Sequence, residues 1–217
     1  MILYGSSLSP FVRKVLAFAG EKGIELELRP TGSAPGQPSD DYLQASPLRK
    51  MPALRDGDFT LADSSAIVQY LEALHPEPNL IPTEPRALGR TIWLEEYGDS
   101  VLMACGGKIF FNRVVAPRFL GRPGDAAVAD AAEREELPPI LDYLETMIPD
   151  SGFLVEDRLT LADIAIASPM ANLPYMGMRI DEQRHPRLAS YVAGILSRPS
   201  FAPWIERETA MLTPQAA

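Results

Sequence analysis

The chain opens on a short apolar run, residues 1–4 (MILY), that stops at Gly5, the length and punctuation of a buried strand. GSSLSP follows, a cluster of turn formers. From Pro10 the apolar positions change period. Val12, Val15, Leu16 and Ala19 recur at helical spacing and the run closes at Gly23, a good C-terminal cap. Ser9 then stands at the N-cap and Pro10 at the first helical position, the preferred order. Residues 24–29 (IELELR) alternate strictly and predict a second strand with one buried face. Strand, helix and strand within about 30 residues make a βαβ unit, so the two strands should run parallel.

Residues 30–47 are rich in Pro, Gly, Ser and Asp and predict a loop with one short turn of helix. Met51-Pro52-Ala53-Leu54, then Asp56-Gly57-Asp58, then Phe59-Thr60-Leu61 predict strand, tight turn and strand, a hairpin. Ala62-Asp63-Ser64-Ser65 precedes AIVQYLEALHP, an amphipathic helix that stops before Pro76. Residues 77–86 hold three prolines and read as a linker between a domain at 1–76 and one at 87–217.

Beyond the linker the pattern is helical throughout. Residues 87–116 predict one long helix that the Gly106-Gly107 pair should bend, and residues 126–148 a second that Pro138-Pro139 should kink or break. Thr160-Leu161-Ala162-Asp163 forms a capping box written with Asp, which accounts for an isolated acid in an apolar run. Asp163 is therefore assigned to folding, and its replacement by Ala is expected to cost about 1 kcal/mol or more. Residues 186–198 and 199–209 predict two shorter helices, each opened by Pro.

Composition narrows the classes of function. With 217 residues and 46% apolar positions the chain can bury a sizeable core, in one large domain or two small ones. Twenty basic against 29 acidic residues give a net charge of −9, which argues against a nucleic-acid partner. No apolar run approaches the roughly 20 residues of a membrane span, and the start MILYGSSLSPF lacks the form of a secretion signal. A single cysteine, Cys105, excludes an intrachain disulfide and a Cys-based zinc site, and His75 and His185 lie far apart, so no metal is expected. A reducing cytoplasm is the expected compartment.

The element order βαβ then ββα, carried by LYGSSLSPFVRKV, KMPAL and LADSSAIVQYLEALHP, resembles the thioredoxin-like domain of cytosolic glutathione transferases, of bacterial, serine-type, theta- or zeta-like form. LTLADIAIAS resembles the buried helix start of the all-α domain in the same family. The resemblance implies a thioredoxin-like α/β domain followed by a helical one, a homodimer, and glutathione as co-substrate in attack on a hydrophobic electrophile.

It also implies roles for particular residues. A free thiol has a pKa near 8.5, and lowering it by about two units takes roughly 2.7 kcal/mol of thiolate stabilisation. A helix N-terminus with a hydroxyl donor is a source of that stabilisation, and Ser9 matches the thiol-activating serine. A helix cap alone is the other reading of Ser9, and Ser6, Ser7 and Tyr4 are rivals for the thiol contact. The thiol-transfer classes carry Cys where this chain has Ser9, so a mixed disulfide with glutathione is not expected. Pro52 matches a cis-proline that turns the Met51 backbone outward to pair with the cysteinyl part of glutathione. Lys50, or less directly Arg49, meets the glycine carboxylate, and Asp63 with Ser64 holds the γ-glutamyl end at a helix start. The electrophile pocket is expected from Leu8, Met103, Gly107, Phe110 and Phe111, with Met170, Met176 and Met178 as wall or core and Asp99 as a possible contact to glutathione across a dimer. Two other readings stay open: a non-catalytic binding or regulatory protein that keeps the fold, and a glutathione-dependent isomerase. Peroxide reduction, dehalogenation and ether cleavage are not separated from transfer by these residues.

Overall fold

The computed structural model describes residues 1–34 and 36–213. The chain divides into two compact units. One comprises Met1–Ile81 together with the chain from Pro199 on, and the other comprises Pro82–Arg198.

The first unit is built on a four-stranded sheet of order β2-β1-β5-β6, with β1 at Ile2–Tyr4, β2 at Glu27–Arg29, β5 at Ala53–Asp56 and β6 at Phe59–Ala62. β1 and β2 are parallel, and β1–β5 and β5–β6 are antiparallel. α1 (Pro10–Glu21) joins β1 to β2, so the βαβ reading holds. β2 is shorter than residues 24–29 because β1 offers only three residues to pair, and the Ile24 N–H is taken by the Ala19 carbonyl at the end of α1. The β5–β6 turn rests on Gly57, whose φ of +60° is the left-handed conformation that glycine adopts without strain.

The loop expected at 30–47 contains a small ribbon, β3 (Gly32–Ala34) with β4 (Gln37–Pro38), and α2 (Asp40–Ala45). Ser39 caps α2 by accepting the Tyr42 N–H at 3.2 Å. α3 (Ser64–Leu74) packs with α1, and its Ile67, Val68 and Leu71 are buried beside Leu3, Val12, Val15 and Leu54. The Glu72 carboxylate on α3 accepts the N–H groups of Leu80 and Ile81 and one Asn79 amide hydrogen, and lies 2.7 Å from the Lys22 ammonium. The first residues of the proline-rich stretch are thereby tied down on this unit.

α11 (Ala202–Leu212) returns to the first unit. Its Glu208 carboxylate receives Arg13 Nε at 3.1 Å and Nη2 at 2.5 Å, and both side chains are fully buried. The sequence pattern assigns this helix, residues 199–209, to the helical domain at 87–217, whereas the structure places it with the first unit, and no local pattern marks this return.

The second unit is helical. α4 (Pro85–Glu96), α5 (Met103–Phe110) and α6 (Ala116–Phe119) run on through π turns at Tyr97–Leu102 and Phe111–Val115. The Gly106-Gly107 pair lies within regular α5, so the irregularity falls elsewhere than expected. A π turn precedes Pro117, which lacks the N–H a helix would use there. The same relation recurs after α7 (Ala126–Ala131). A π turn at Ala132–Glu136 leads into Pro138 and Pro139 at the start of α8 (Leu137–Met147), the expected disruption.

The core of this unit is α9 (Leu161–Met170), buried almost throughout, against which α4 and α10 (Pro186–Leu196) pack. Gly98 lets the first π turn approach α9, since a Cβ there would lie 2.8 Å from the Ala165 carbonyl oxygen. No helix among the described residues is long and apolar enough to cross a membrane.

Candidate active site

Three loops of the first unit carry the residues of interest, and the chain fixes each locally. The first is the β1–α1 loop. Pro10 starts α1 with a preset φ and without an N–H to satisfy, which leaves Ser9 as N-cap. The Ser9 hydroxyl makes no cap hydrogen bond. Its backbone does the local work, with its N–H donating to Ser6 O at 2.9 Å and its carbonyl accepting from Arg13 N at 2.9 Å. A half-buried hydroxyl at the positive end of a 12-residue helix is thus left for another acceptor.

The rival hydroxyls are placed differently. Tyr4 is buried in the core with Tyr42, Ala45 and Ala53, and its hydroxyl donates to the Asp41 carboxylate. Burial foremost, then the Asp41 contact, raises the Tyr4 pKa. Ser7 is 1% exposed and its Oγ has no partner among the described residues.

The second loop, residues 46–52, connects α2 to β5. The Met51-Pro52 peptide bond is cis, as the resemblance implies. Pro52 is buried, while Lys50 and Met51 are exposed, and Met51 stands two residues before the strand begins. Arg49 has φ +57°. Sequence reasoning missed Ser46, whose buried hydroxyl donates to the Lys50 carbonyl at 2.7 Å and accepts the Lys50 N–H at 3.0 Å. A serine before Pro47 carries only a general turn signal, so nothing local pointed to it.

The third is the start of α3. Asp63, at φ +82°, is the N-cap, and its Oδ1 accepts from Ser65 N at 2.9 Å and Ala66 N at 3.4 Å. The Ile67 N–H goes to the Asp63 carbonyl. The cap thereby consumes three of the first four amides and leaves the N–H and hydroxyl of the buried Ser64 for a ligand.

Lys50, Met51, Pro52, Asp63 and Ser64 line one cleft of about 580 Å³, with Ser46 at its edge and Phe11 and Leu48 supplying apolar wall. Ser9 is not among its lining residues, although Phe11, two positions along α1, is. The five positions expected to hold glutathione are thus brought together.

The residues expected at the electrophile are not grouped in this way. Leu8 lies buried in the first unit. In the second unit Met103 and Gly107 share a face of α5, where a Cβ on Gly107 would meet Met103 Cε at 3.6 Å. Phe110 is half-buried, and the more exposed Phe111 opens the π turn with the Arg122 guanidinium 5.4 Å above its ring. Met170, Met176 and Met178 are buried core. Asp163 is likewise structural. Its carboxylate completes the capping box and also accepts the Leu154 N–H and the Tyr191 hydroxyl.

A thioredoxin-like unit followed by an all-helical unit defines the glutathione-transferase class of fold. Comparison with known proteins agrees along most of the chain. Residues 3–79 match the family model of the glutathione S-transferase N-terminal domain, and residues 121–208 match that of the C-terminal domain. A glutathione S-transferase of Hyoscyamus muticus is 31% identical over 212 residues, 95% of this chain and 98% of its own. Human glutathione S-transferase theta-1 is 33% identical over 192 residues, 87% of this chain and 79% of its own. Among solved structures, a glutathione S-transferase from Rhodospirillum rubrum F11 has a TM-score of 0.84 at 27% identity, covering 94% of this chain and 90% of its own. Human glutathione transferase theta-2, solved in complex with glutathione and an unknown ligand, has a TM-score of 0.84 at 26% identity, covering 97% and 88%. The chain belongs to the glutathione S-transferase family.

Proposed function

We propose that the protein transfers glutathione to hydrophobic electrophiles, with Ser9 activating the thiol. The observation that carries this reading is the convergence of Lys50, Met51, Pro52, Asp63 and Ser64 on one cleft, in a fold whose first helix begins with an uncommitted hydroxyl. Glutathione lies extended along the second loop. The Met51 N–H and carbonyl pair with its cysteinyl residue, as a strand edge would. The Lys50 ammonium meets the glycine carboxylate. The Ser64 N–H and hydroxyl take the γ-glutamyl carboxylate at the positive end of α3, and Asp63 faces the γ-glutamyl ammonium while holding the cap.

The sulfur then comes to the start of α1. The Ser9 O–H donates to the thiolate, and the aligned amides of α1 add positive potential. Together these supply the roughly 2.7 kcal/mol that moves a thiol pKa from about 8.5 to about 6.5. The thiolate attacks the electrophilic carbon, the new S–C bond replaces the bond to the leaving group, and the displaced group departs with its electron pair. On the second unit, Met103, Gly107, Phe110 and Phe111 supply apolar surface for the second substrate.

The active form is a homodimer in the cytoplasm. In support, Trp93, Tyr97 and Tyr143 form an aromatic cluster on the second unit, with ring centroids 5.7–6.4 Å apart, and both Trp93 and Tyr143 are 43% exposed. Apolar rings this open are characteristic of interfaces. Glutathione is bound by residues of the Met1–Ile81 segment, and the electrophile is met by residues of the Pro82–Arg198 unit.

Calorimetric titration of the purified protein with glutathione, followed by turnover of a chlorodinitrobenzene, tests the reading. One saturable site per chain and conjugate formation are expected. No binding at about millimolar glutathione, a free energy of only ~4 kcal/mol, overturns it and leaves a non-catalytic member of the fold. Elution as a monomer in light scattering overturns the dimer.

A further inference from the structure

We infer that Ser46 is a positioning residue for glutathione, an assignment that rests on the glutathione reading given above. Ser46 is 1% exposed, and its side chain closes a ring with Lys50, four positions on, while also meeting the Tyr42 hydroxyl. Its O–H donates to the Lys50 carbonyl at 2.7 Å while its Oγ accepts the Lys50 N–H at 3.0 Å. A third bond, from Arg49 N to the Ser46 carbonyl at 2.9 Å, turns the chain within the same loop.

The base of the ring is anchored, because the Ser46 N–H donates to the Tyr42 carbonyl at 2.7 Å as α2 ends. Both peptide groups flanking Lys50 are therefore fixed by one hydroxyl, and this happens immediately before Met51. Lys50 and Met51 are themselves exposed, Met51 to 38%. The clip sets two things together, the direction in which the Lys50 side chain leaves the loop and the plane in which the Met51 N–H and carbonyl are presented.

Without the hydroxyl, the Lys50 N–H and carbonyl lose their partner, and the loop must find another arrangement in which they are satisfied. Glutathione would then have to order the loop on binding, and its affinity falls by that cost. Ser9 lies on a different loop, so the chemistry of the bound thiol is untouched.

The test compares Ser46→Ala with the parent protein by calorimetry with glutathione and by the ultraviolet absorbance of the bound thiolate across pH. Ser46→Ala is expected to weaken glutathione binding about tenfold, the scale of one lost buried hydrogen-bonding partner. The pKa of the bound thiol stays at the parent value, and Ser46→Thr, which keeps the hydroxyl, restores affinity. Unchanged affinity in Ser46→Ala overturns the assignment, and so does a shifted thiol pKa, which would mean that the whole site had been disturbed. If Ser46→Ala does not fold, Ser46→Cys carries the test, because a thiol fills the space but bonds weakly. An affinity loss of about threefold then supports the assignment, and parent-like affinity overturns it. A parent protein that binds no glutathione overturns the glutathione reading itself, a result visible before any variant is made.

Discussion

Tyr191 on α10 donates its hydroxyl to Asp163 Oδ1 on α9 at 3.1 Å, both groups being buried. The same carboxylate accepts the Leu154 N–H at 2.9 Å and the Thr160 N–H at 2.8 Å. One acid therefore closes a helix start, pins the segment before it and links two helices. With the Thr160 hydroxyl at 3.2 Å as a further donor, Asp163→Ala leaves four buried donors without their acceptor, and the expected loss is about 3 kcal/mol or more, well above that of a cap alone. Urea unfolding measures it, and a loss under about 1 kcal/mol would show that the cap alone matters.

The same residue makes a pH prediction. Burial is the largest influence on the Asp163 carboxyl and raises its pKa above 3.8, while the hydrogen bonds from Leu154, Thr160 and Tyr191 pull it down. The folded chain thus holds this proton more tightly than the unfolded chain. This group's contribution to stability is fully present below pH 3.8 and is withdrawn as the pH rises through its folded value. The parent's advantage over Asp163→Asn should accordingly be greater near pH ~4 than near pH ~7 in paired urea titrations. The reverse trend would mean that the hydrogen bonds outweigh burial.

Ser9→Ala should leave glutathione affinity within about threefold but raise the pKa of the bound thiol by about 1.5 units, with turnover at neutral pH falling about eightfold as the thiolate fraction drops. A thiolate absorbance titration and steady-state kinetics give the two readouts. Full turnover in the variant would pass the role to the α1 amides alone.

Removing the acid from the Arg13–Glu208 pair exposes the cost of a buried guanidinium that has lost its two-bonded partner. Glu208→Ala should destabilise by about 3 kcal/mol or more, whereas Arg13→Met with Glu208→Leu should recover most of that loss. Denaturation midpoints of the single and double variants decide it. Equal losses in both would assign the effect to packing rather than charge.

Cys105 offers a direct probe of folding. It is 1% exposed, and burial with the nearby Glu136 charge pushes its thiol up to about 11. At pH ~8 an aromatic disulfide reagent should modify it more than about a hundredfold more slowly than a free thiol, and one thiol per chain should appear on unfolding. Fast reaction of the folded protein would contradict the burial.

What could be read from the sequence is what leaves a local trace. The period change at Pro10, the alternation that includes β2, and the Gly57 turn each carry their own pattern, so the βαβ and ββα order followed. Asp63-Ser64 and Thr160–Asp163 were legible because a cap is written within four residues. Ser46 was not, since a hydroxyl that clips a backbone four positions on has no characteristic neighbour. The π turns at Tyr97–Leu102 and Phe111–Val115 escaped because glycine suggested a bend at 106–107, whereas the disruption before Pro138-Pro139 was legible because a proline lacks the N–H that a helix needs. The ties of α11 to α1 were invisible because a pair 195 residues apart leaves no periodic mark.

That last tie has a consequence for how the protein is made. Arg13 on α1 leaves the ribosome 195 residues ahead of Glu208. At about 5–20 residues per second, Arg13 waits roughly 10–40 s for its carboxylate. The first unit, though written mostly in residues 1–81, reaches its final form only after α11 has been made. The helical unit between them can fold while the older part is still waiting.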